Sequence, residues 1–152
     1  MTPKFVIYKD RVLQQYNSLK EFIVSYSVKT NPDIAPILEE NTDSLFSIHT
    51  LEGIDWVKDK SRIVYIAQVW TSEEIISILE SGIRSFVVDN ETDLNLFIDT
   101  VKKTEFNNID LSLRIKLKEH TVYTGQYFVF GMSTEIANKR ISEMDKEFLN
   151  HI

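Results

Sequence analysis

The chain has no cysteine. That excludes a disulfide framework, a thiolate metal site and a cysteine nucleophile. Only 4 of its 152 residues are glycine, and neither common glycine-rich phosphate loop is present. Basic charge is not in excess: 17 Lys and Arg stand against 23 Asp and Glu, for a net charge of −6. An acidic balance argues against nucleic acid or an anionic membrane surface as a partner. The N-terminus lacks an apolar run of signal length, and no apolar run is long enough to span a bilayer. The expectation is a soluble, cytoplasmic protein with no metal site. What is present suffices for one domain: 43% of residues are hydrophobic and 26% charged, enough apolar material for a core. No low-complexity linker or internal repeat interrupts the chain.

Apolar runs of strand length alternate with segments of helical spacing. Lys4 to Tyr8 is rich in β-formers. Val12, Leu13, Tyr16, Leu19 and Phe22 recur at helical spacing behind Asp10, a candidate N-cap, and predict a helix over 10–19. Phe22 to Lys29 reads as a short buried strand, and Ile34, Ile37 and Leu38 as a short amphipathic helix. Ser44–Ile48 is the second strand. Thr50 caps a helix with Leu51, Ile54 and Val57 inward and Trp56 at its edge. Arg62–Ala67 is the third strand. Thr71 or Ser72 caps a helix carrying Ile75, Ile76 and Leu79 and ending at Gly82. Phe86–Val88 is the fourth strand, and Asp89-Asn90-Glu91 opens a helix with Leu94, Phe97, Ile98 and Val101 inward. Leu111–Ile115 is the fifth strand, followed by a longer loop and one helix over 133–149. Asn150–Ile152 looks like the start of a further strand. About five βα units in a row imply a parallel sheet with right-handed crossovers. That pattern alone does not separate an open sheet from a barrel.

The stretch most suggestive of chemistry is Tyr26-Ser-Val-Lys29-Thr-Asn-Pro32. Pro32 stops the strand and pushes Asn31 out of the helical region, which leaves Lys29 at the strand's C-terminal lip. In α/β proteins ligands bind at that lip. Apolar walls there would strip water from the amine and favour its neutral form, the form that attacks a carbonyl. The alternative is a solvated surface lysine. Ser47 and His49 fall at the second strand's end, Gln68 at the third, Asp89 at the fourth, and Arg114 within the fifth. An Arg inside an apolar strand needs a buried anionic or polar partner; Asp89 and Glu52 are protein candidates for that partner. His49 read alone is a partly exposed loop histidine or a hydrogen-bonding group at the rim.

The series Thr2-Pro-Lys-Phe-Val-Ile-Tyr8, Tyr26-Ser-Val-Lys-Thr-Asn-Pro32 and Phe46-Ser-Ile-His-Thr-Leu-Glu52 resembles the front of the pyridoxal-phosphate-dependent decarboxylases of ornithine, lysine, arginine and diaminopimelate. The resemblance runs along nearly the whole chain. It implies a partial (β/α) barrel, about five βα units of an alanine-racemase-like TIM barrel. In this reading 1–152 form the N-terminal part of the cofactor-binding barrel, and the strand over 1–8 pairs with a C-terminal β-domain that this sequence does not include.

The resemblance further implies decarboxylation of a basic amino acid, of the kind that serves polyamine biosynthesis and amino-acid metabolism. The cofactor is pyridoxal 5'-phosphate, attached to Lys29, with Ser47, His49 and Arg114 as further cofactor-binding positions. The implied partners are the amino-acid substrate and a second copy of the chain or the remainder of the barrel. This sequence departs from the family pattern at Ser47, where an acidic residue is usual, and at Val129, which replaces the lysine of a "Lys-Phe-Gly" word that stands here as Val129-Phe130-Gly131. Gly131 is expected to need a backbone conformation closed to other residues. The aromatic run Tyr123, Tyr127, Phe128, Phe130 reads as packing or interface. The family's ring-stacking histidine, phosphate-binding glycine turn and pyridine-nitrogen acid have no counterpart here. Three alternatives remain: a racemase, a pyridoxal-phosphate homeostasis protein on the same barrel, and a decarboxylase-like protein that only binds partners.

Overall fold

The computed structural model describes residues 4–116 and 130–152. Thr2, Pro3, Tyr123, Tyr127, Phe128 and Val129 lie outside the described residues. Five strands form one sheet in the order β1-β2-β3-β4-β5: β1 Ser25–Ser27, β2 Leu45–Ile48, β3 Ile63–Ile66, β4 Ser85–Val88 and β5 Asp110–Leu113. The β1/β2 and β4/β5 pairs are parallel. Chain order equals sheet order because each strand hands over to the next through a crossover, the arrangement that alternating apolar runs and amphipathic segments predict. The chain divides into two compact units, Met1–Val64 and Tyr65–Ile152.

In the first unit, α1 (Lys9–Asn17) starts without a side-chain cap and buries no residue. The expected N-cap, Asp10, instead lies in the first turn, where its charge faces the positive end of the helix dipole. Residues 4–8 form no strand and are exposed. The first strand is also shorter than its composition suggests. Phe22 and Ile23 are 72% and 89% exposed and precede it, so the buried strand expected over 22–29 reduces to Ser25–Ser27. Hydrophobic, β-branched residues alone do not make a strand where no neighbour pairs with them.

A 3-10 turn over Val28–Thr30 follows, and a second over Pro32–Ile34 runs into α2 (Ala35–Asn41). Asn31 between them is extended, as a residue before proline should be, and its side chain accepts the Asp33 N–H at 3.2 Å. α3 (Leu51–Ile54) is capped by Thr50. Arg62 closes the C-terminal end of α2. Its guanidinium donates to the carbonyls of Glu39, Thr42 and Ser44 at 2.6–2.9 Å and lies 5.1 Å from the centroid of the Phe46 ring.

In the second unit, α4 (Ser72–Glu80) opens on a complete capping box, Thr71 with Glu74. It buries Ile75, Ile78 and Leu79; Ile76, expected inward, is half-buried because the buried stripe follows the i, i+3, i+4 spacing from Ile75. α5 (Glu91–Val101) is capped by Asn90 and buries Leu94, Phe97 and Val101. Phe86 of β4 meets Phe97 at 5.0 Å and Trp70 at 6.0 Å, and Trp70 stacks on Phe97 at 5.2 Å. Phe86 and Val88 are therefore the helix-facing side of β4. Their register partners Leu111 and Leu113 share it, and Val87 and Ser112 face the other way.

The last helix is two: α6 (Thr134–Glu143) and α7 (Lys146–Leu149). Met144 is extended and Asp145 restarts the chain as an N-cap, accepting the Phe148 N–H at 2.9 Å. The expected strand over 150–152 is a turn, and the Ile109 N–H donates to the His151 carbonyl at 2.9 Å.

Candidate active site

Each position singled out in the sequence lies at or just past the C-terminal end of a strand. In the first unit, Lys29 sits in the 3-10 turn after β1 and is exposed. It is neither on the strand nor walled in by apolar groups, as expected above, because Val28 takes the buried position and the turn rotates the next side chain outward. That turn packs against β2. The Tyr26 hydroxyl donates to the Asn31 carbonyl at 3.0 Å and so ties the two ends of the Lys29 turn together. Burial pushes the Tyr26 phenol above its ordinary value.

Ser47 lies within β2. It faces the side opposite Phe46, and its hydroxyl shares a 2.7 Å hydrogen bond with that of Ser25 on β1. Two hydroxyls meet there, and neither carries charge. His49 is the first residue past β2 and is half-buried.

In the second unit, Gln68 follows β3 and Asp89 follows β4. Together with Val69, Asn90, Phe130 and Gly131 they line a pocket of about 440 Å³. Asp89 is buried, and its carboxylate accepts from the Asn90 amide at 2.8 Å. Arg114 was expected inside strand five with a buried partner. β5 ends at Leu113, so Arg114 is the residue after it and is exposed. Its guanidinium lies 5.3 Å from the centroid of the Phe130 ring, a cation–π contact. Continuing the β5 alternation, Arg114 falls with Ser112 on the face turned away from the helices.

Gly131 takes a φ of +106°, as its place in the sequence suggested. It lets Met132 pair with Ile115, with the Met132 N–H donating to the Arg114 carbonyl at 2.8 Å. This close backbone approach fixes Arg114 from its carbonyl side.

Sequence reasoning missed the contribution of Asp93. Its carboxylate is buried beside the pocket and accepts from the Asn90 side chain at 2.7 Å and from the Val69 N–H at 3.2 Å. The available signal was the Asn90…Asp93 spacing, a cap residue with an acid three positions on. It reads as a helix start, and nothing in it announces the third partner from another loop. Among the described residues no group of His, Asp and Glu could hold a metal ion, and no helix is long and apolar enough to cross a membrane.

A pyridoxal-phosphate group needs an amine to bind covalently, donors for its ring oxygen and an anchor for its phosphate. The described residues offer the first two kinds of group: an exposed lysine amine after β1, and hydroxyl, imidazole and guanidinium groups at other strand ends. Gly131, the glycine with positive φ near a strand end, is packed against its own chain. A Cβ there would meet the Lys116 nitrogen at 2.8 Å. It is filled by backbone and leaves no cradle for a phosphate.

No family model matches the chain, and no curated protein matches it in sequence. Solved structures do match. Diaminopimelate decarboxylase from M. jannaschii in co-complex with L-lysine is 26% identical, with a TM-score of 0.73, over 90% of this chain and 38% of that one. A second structure of diaminopimelate decarboxylase from M. jannaschii gives 24% identity and a TM-score of 0.74, over the same shares. Lysine/ornithine decarboxylase from Vibrio vulnificus, complexed with cadaverine, gives 21% and 0.67 over 95% of this chain and 38% of that one. The chain thus spans well under half the length of these decarboxylases, and over that span it has their fold: a parallel five-stranded α/β sheet that corresponds to part of their barrel.

Proposed function

We propose that this chain is the lysine-bearing front part of a pyridoxal-phosphate-dependent barrel, and that the complete polypeptide decarboxylates a basic amino acid. The observation that carries this reading is the position of Lys29: an accessible amine in a tight turn at the C-terminal end of β1, with its turn closed by the Tyr26–Asn31 bond and packed against the strand that bears Ser47. The likeness in fold to two decarboxylases of basic amino acids supports the reaction class.

When bound, the cofactor supplies an electron sink for the pair left behind as carbon dioxide departs. The chain's own residues bind and orient. Lys29 holds the group through its amine, which must be neutral to attack. The Ser25–Ser47 hydroxyl pair can donate or accept a hydrogen bond beside it but adds no charge, so it orients without neutralising. Arg114, on the face away from the helices, offers a permanent positive charge and several N–H donors to an anionic oxygen. His49, half-buried after β2, can hold or pass a proton at a ring nitrogen. A second reading, a decarboxylase-like protein that binds partners without catalysis, draws on one observation: serine, not a carboxylate, stands at position 47.

Borohydride reduction of the complete polypeptide with cofactor, followed by peptide mapping, should place the covalent label on Lys29. A label on another lysine removes the assignment. Lys29→Ala should lose both the label and decarboxylation. The 152-residue chain alone should come off dialysis against the cofactor nearly colourless, because phosphate anchoring supplies much of such binding; a stable yellow complex would reveal an anchor within this chain.

A further inference from the structure

Two non-glycine residues described in the second unit have a positive φ, Val69 and Asn108, and Val69 is the β-branched one. It takes a φ of +52°, a conformation that costs a β-branched residue more than most. Its side chain gains nothing in return by burial, being 89% exposed. Strain of this kind persists only where the surroundings over-determine it, and it clusters at ligand-binding loops.

The surroundings here can be named. Upstream, the Ala67 N–H is fixed to the Val87 carbonyl at 3.0 Å. Downstream, Thr71 is locked by the capping box of α4, and Trp70 is held in the aromatic core by its stack on Phe97, its Nε1 donating to the Asp93 carbonyl at 3.4 Å. Two residues, Gln68 and Val69, must bridge the fixed points Ala67 and Trp70. The bridge is held at its middle by the Asp93 carboxylate, 5% exposed, which takes the Val69 N–H on the same oxygen that accepts from Asn90. Gln68 and Val69 are then one side of the 440 Å³ pocket whose other side is Asp89, Asn90, Phe130 and Gly131.

We propose that Asp93 is the positioning residue of this pocket: its buried carboxylate holds Val69 left-handed, and so sets Gln68 and Val69 as a wall that relaxes to another conformation when that bond is lost. An acid at the third position of a helix normally serves the helix alone. Here it also reaches across to a neighbouring loop. The inference does not depend on which ligand the pocket takes, nor on the decarboxylase reading.

The test is a double-mutant cycle on the 152-residue chain. Val69→Gly removes the steric penalty and should raise Tm by about 2–4 °C. In an Asp93→Ala background the loop is already free, so the same substitution should bring no gain in Tm, and the added freedom of the unfolded chain should lower it slightly. Hydrogen exchange gives the second readout. Asp93→Ala should speed exchange of the Val69 amide by about 100-fold, with the amides of β4 and the middle of α5 as slow as before. Equal Tm gains in both backgrounds would overturn the proposal, because the strain would then not be held by Asp93. So would loss of protection throughout α5, which would make Asp93 a helix residue only. If Asp93→Ala does not fold, the isosteric Asp93→Asn replaces it. Its neutral amide oxygen is a weaker acceptor for the Asn90 and Val69 donors than the charged carboxylate oxygen, so the Val69→Gly gain should shrink; an undiminished gain overturns the proposal in the same way.

Discussion

Arg62 shows how one residue secures a junction. Helix α2 ends with carbonyls that have no partner in the helix, and β2 begins only a few residues later. The Arg62 guanidinium supplies donors to Glu39, Thr42 and Ser44 at once. Its planar fork and its position over Phe46 suit this better than an ammonium would. Ser44 is fully buried, so its carbonyl has no water to turn to. Arg62→Lys keeps the charge but leaves acceptors unpaired. It should cost about 2 kcal/mol in urea unfolding with the slope unchanged. A cost below roughly 0.5 kcal/mol would show that lysine satisfies the same carbonyls.

Elements differ in how far their limits can be read from sequence. The α4 boundaries were legible because both signals are local: Thr71 and Glu74 at capping-box spacing, and Gly82 at a φ of +100°. Lys29, Ser47, His49, Gln68 and Asp89 were placed at strand ends because apolar runs of strand length mark those ends. The α6–α7 break was not legible. No proline or glycine marks it, and Met144 leaves the helix because Asp145 finds tertiary partners. Lys102 at the C-terminal cap of α5 donates to Asp145 at 2.6 Å and to Glu147 at 2.9 Å. The first strand failed in the opposite direction: Phe22 and Ile23 have strand composition and no strand beside them. Val69 was invisible for the same reason as the break, since three fixed neighbours set its conformation.

The break carries a pH signature. The Lys102 bond, followed by the Phe148 N–H, holds the Asp145 carboxyl below its ordinary value. Asp145, ahead of Glu147, pushes the Lys102 ammonium up. A lowered carboxyl contributes stability that is complete above its unfolded value, near about 4, and is lost as pH falls through the folded one. The raised lysine contributes below about 10 and loses its share only as pH rises past its folded value. Asp145→Asn keeps an N-cap but removes the Asp145–Lys102 ion pair, leaving Lys102 with Glu147. Urea midpoints measured from about pH 6 to pH 3 should therefore fall less steeply in Asp145→Asn than in the parent. Parallel curves would mean that the exposed pair contributes nothing.

At the scale of the whole molecule the sheet order has an end. Among the described residues β1 pairs only with β2, so one side of Ser25–Ser27 keeps unpaired N–H and C=O groups. An open edge of this kind invites a further strand. Protective devices are weak here: β1 carries no charge and no proline, and the residues leading into it, Phe22 and Ile23, put apolar surface in water. The decarboxylases of like fold have chains of which this one spans 38%, room enough for strands that would occupy such an edge. We expect the 152-residue chain to satisfy it with a second copy of itself. Sedimentation equilibrium should show an average mass that rises with concentration. Ile23→Lys, which places a charge beside the edge, should lower that rise without lowering Tm, because the side chain it replaces is already exposed. A monomer at every workable concentration would mean that the edge is covered by the chain itself, and Phe22 and Ile23 are the first residues whose hydrogen exchange and solvent labelling would then have to show protection.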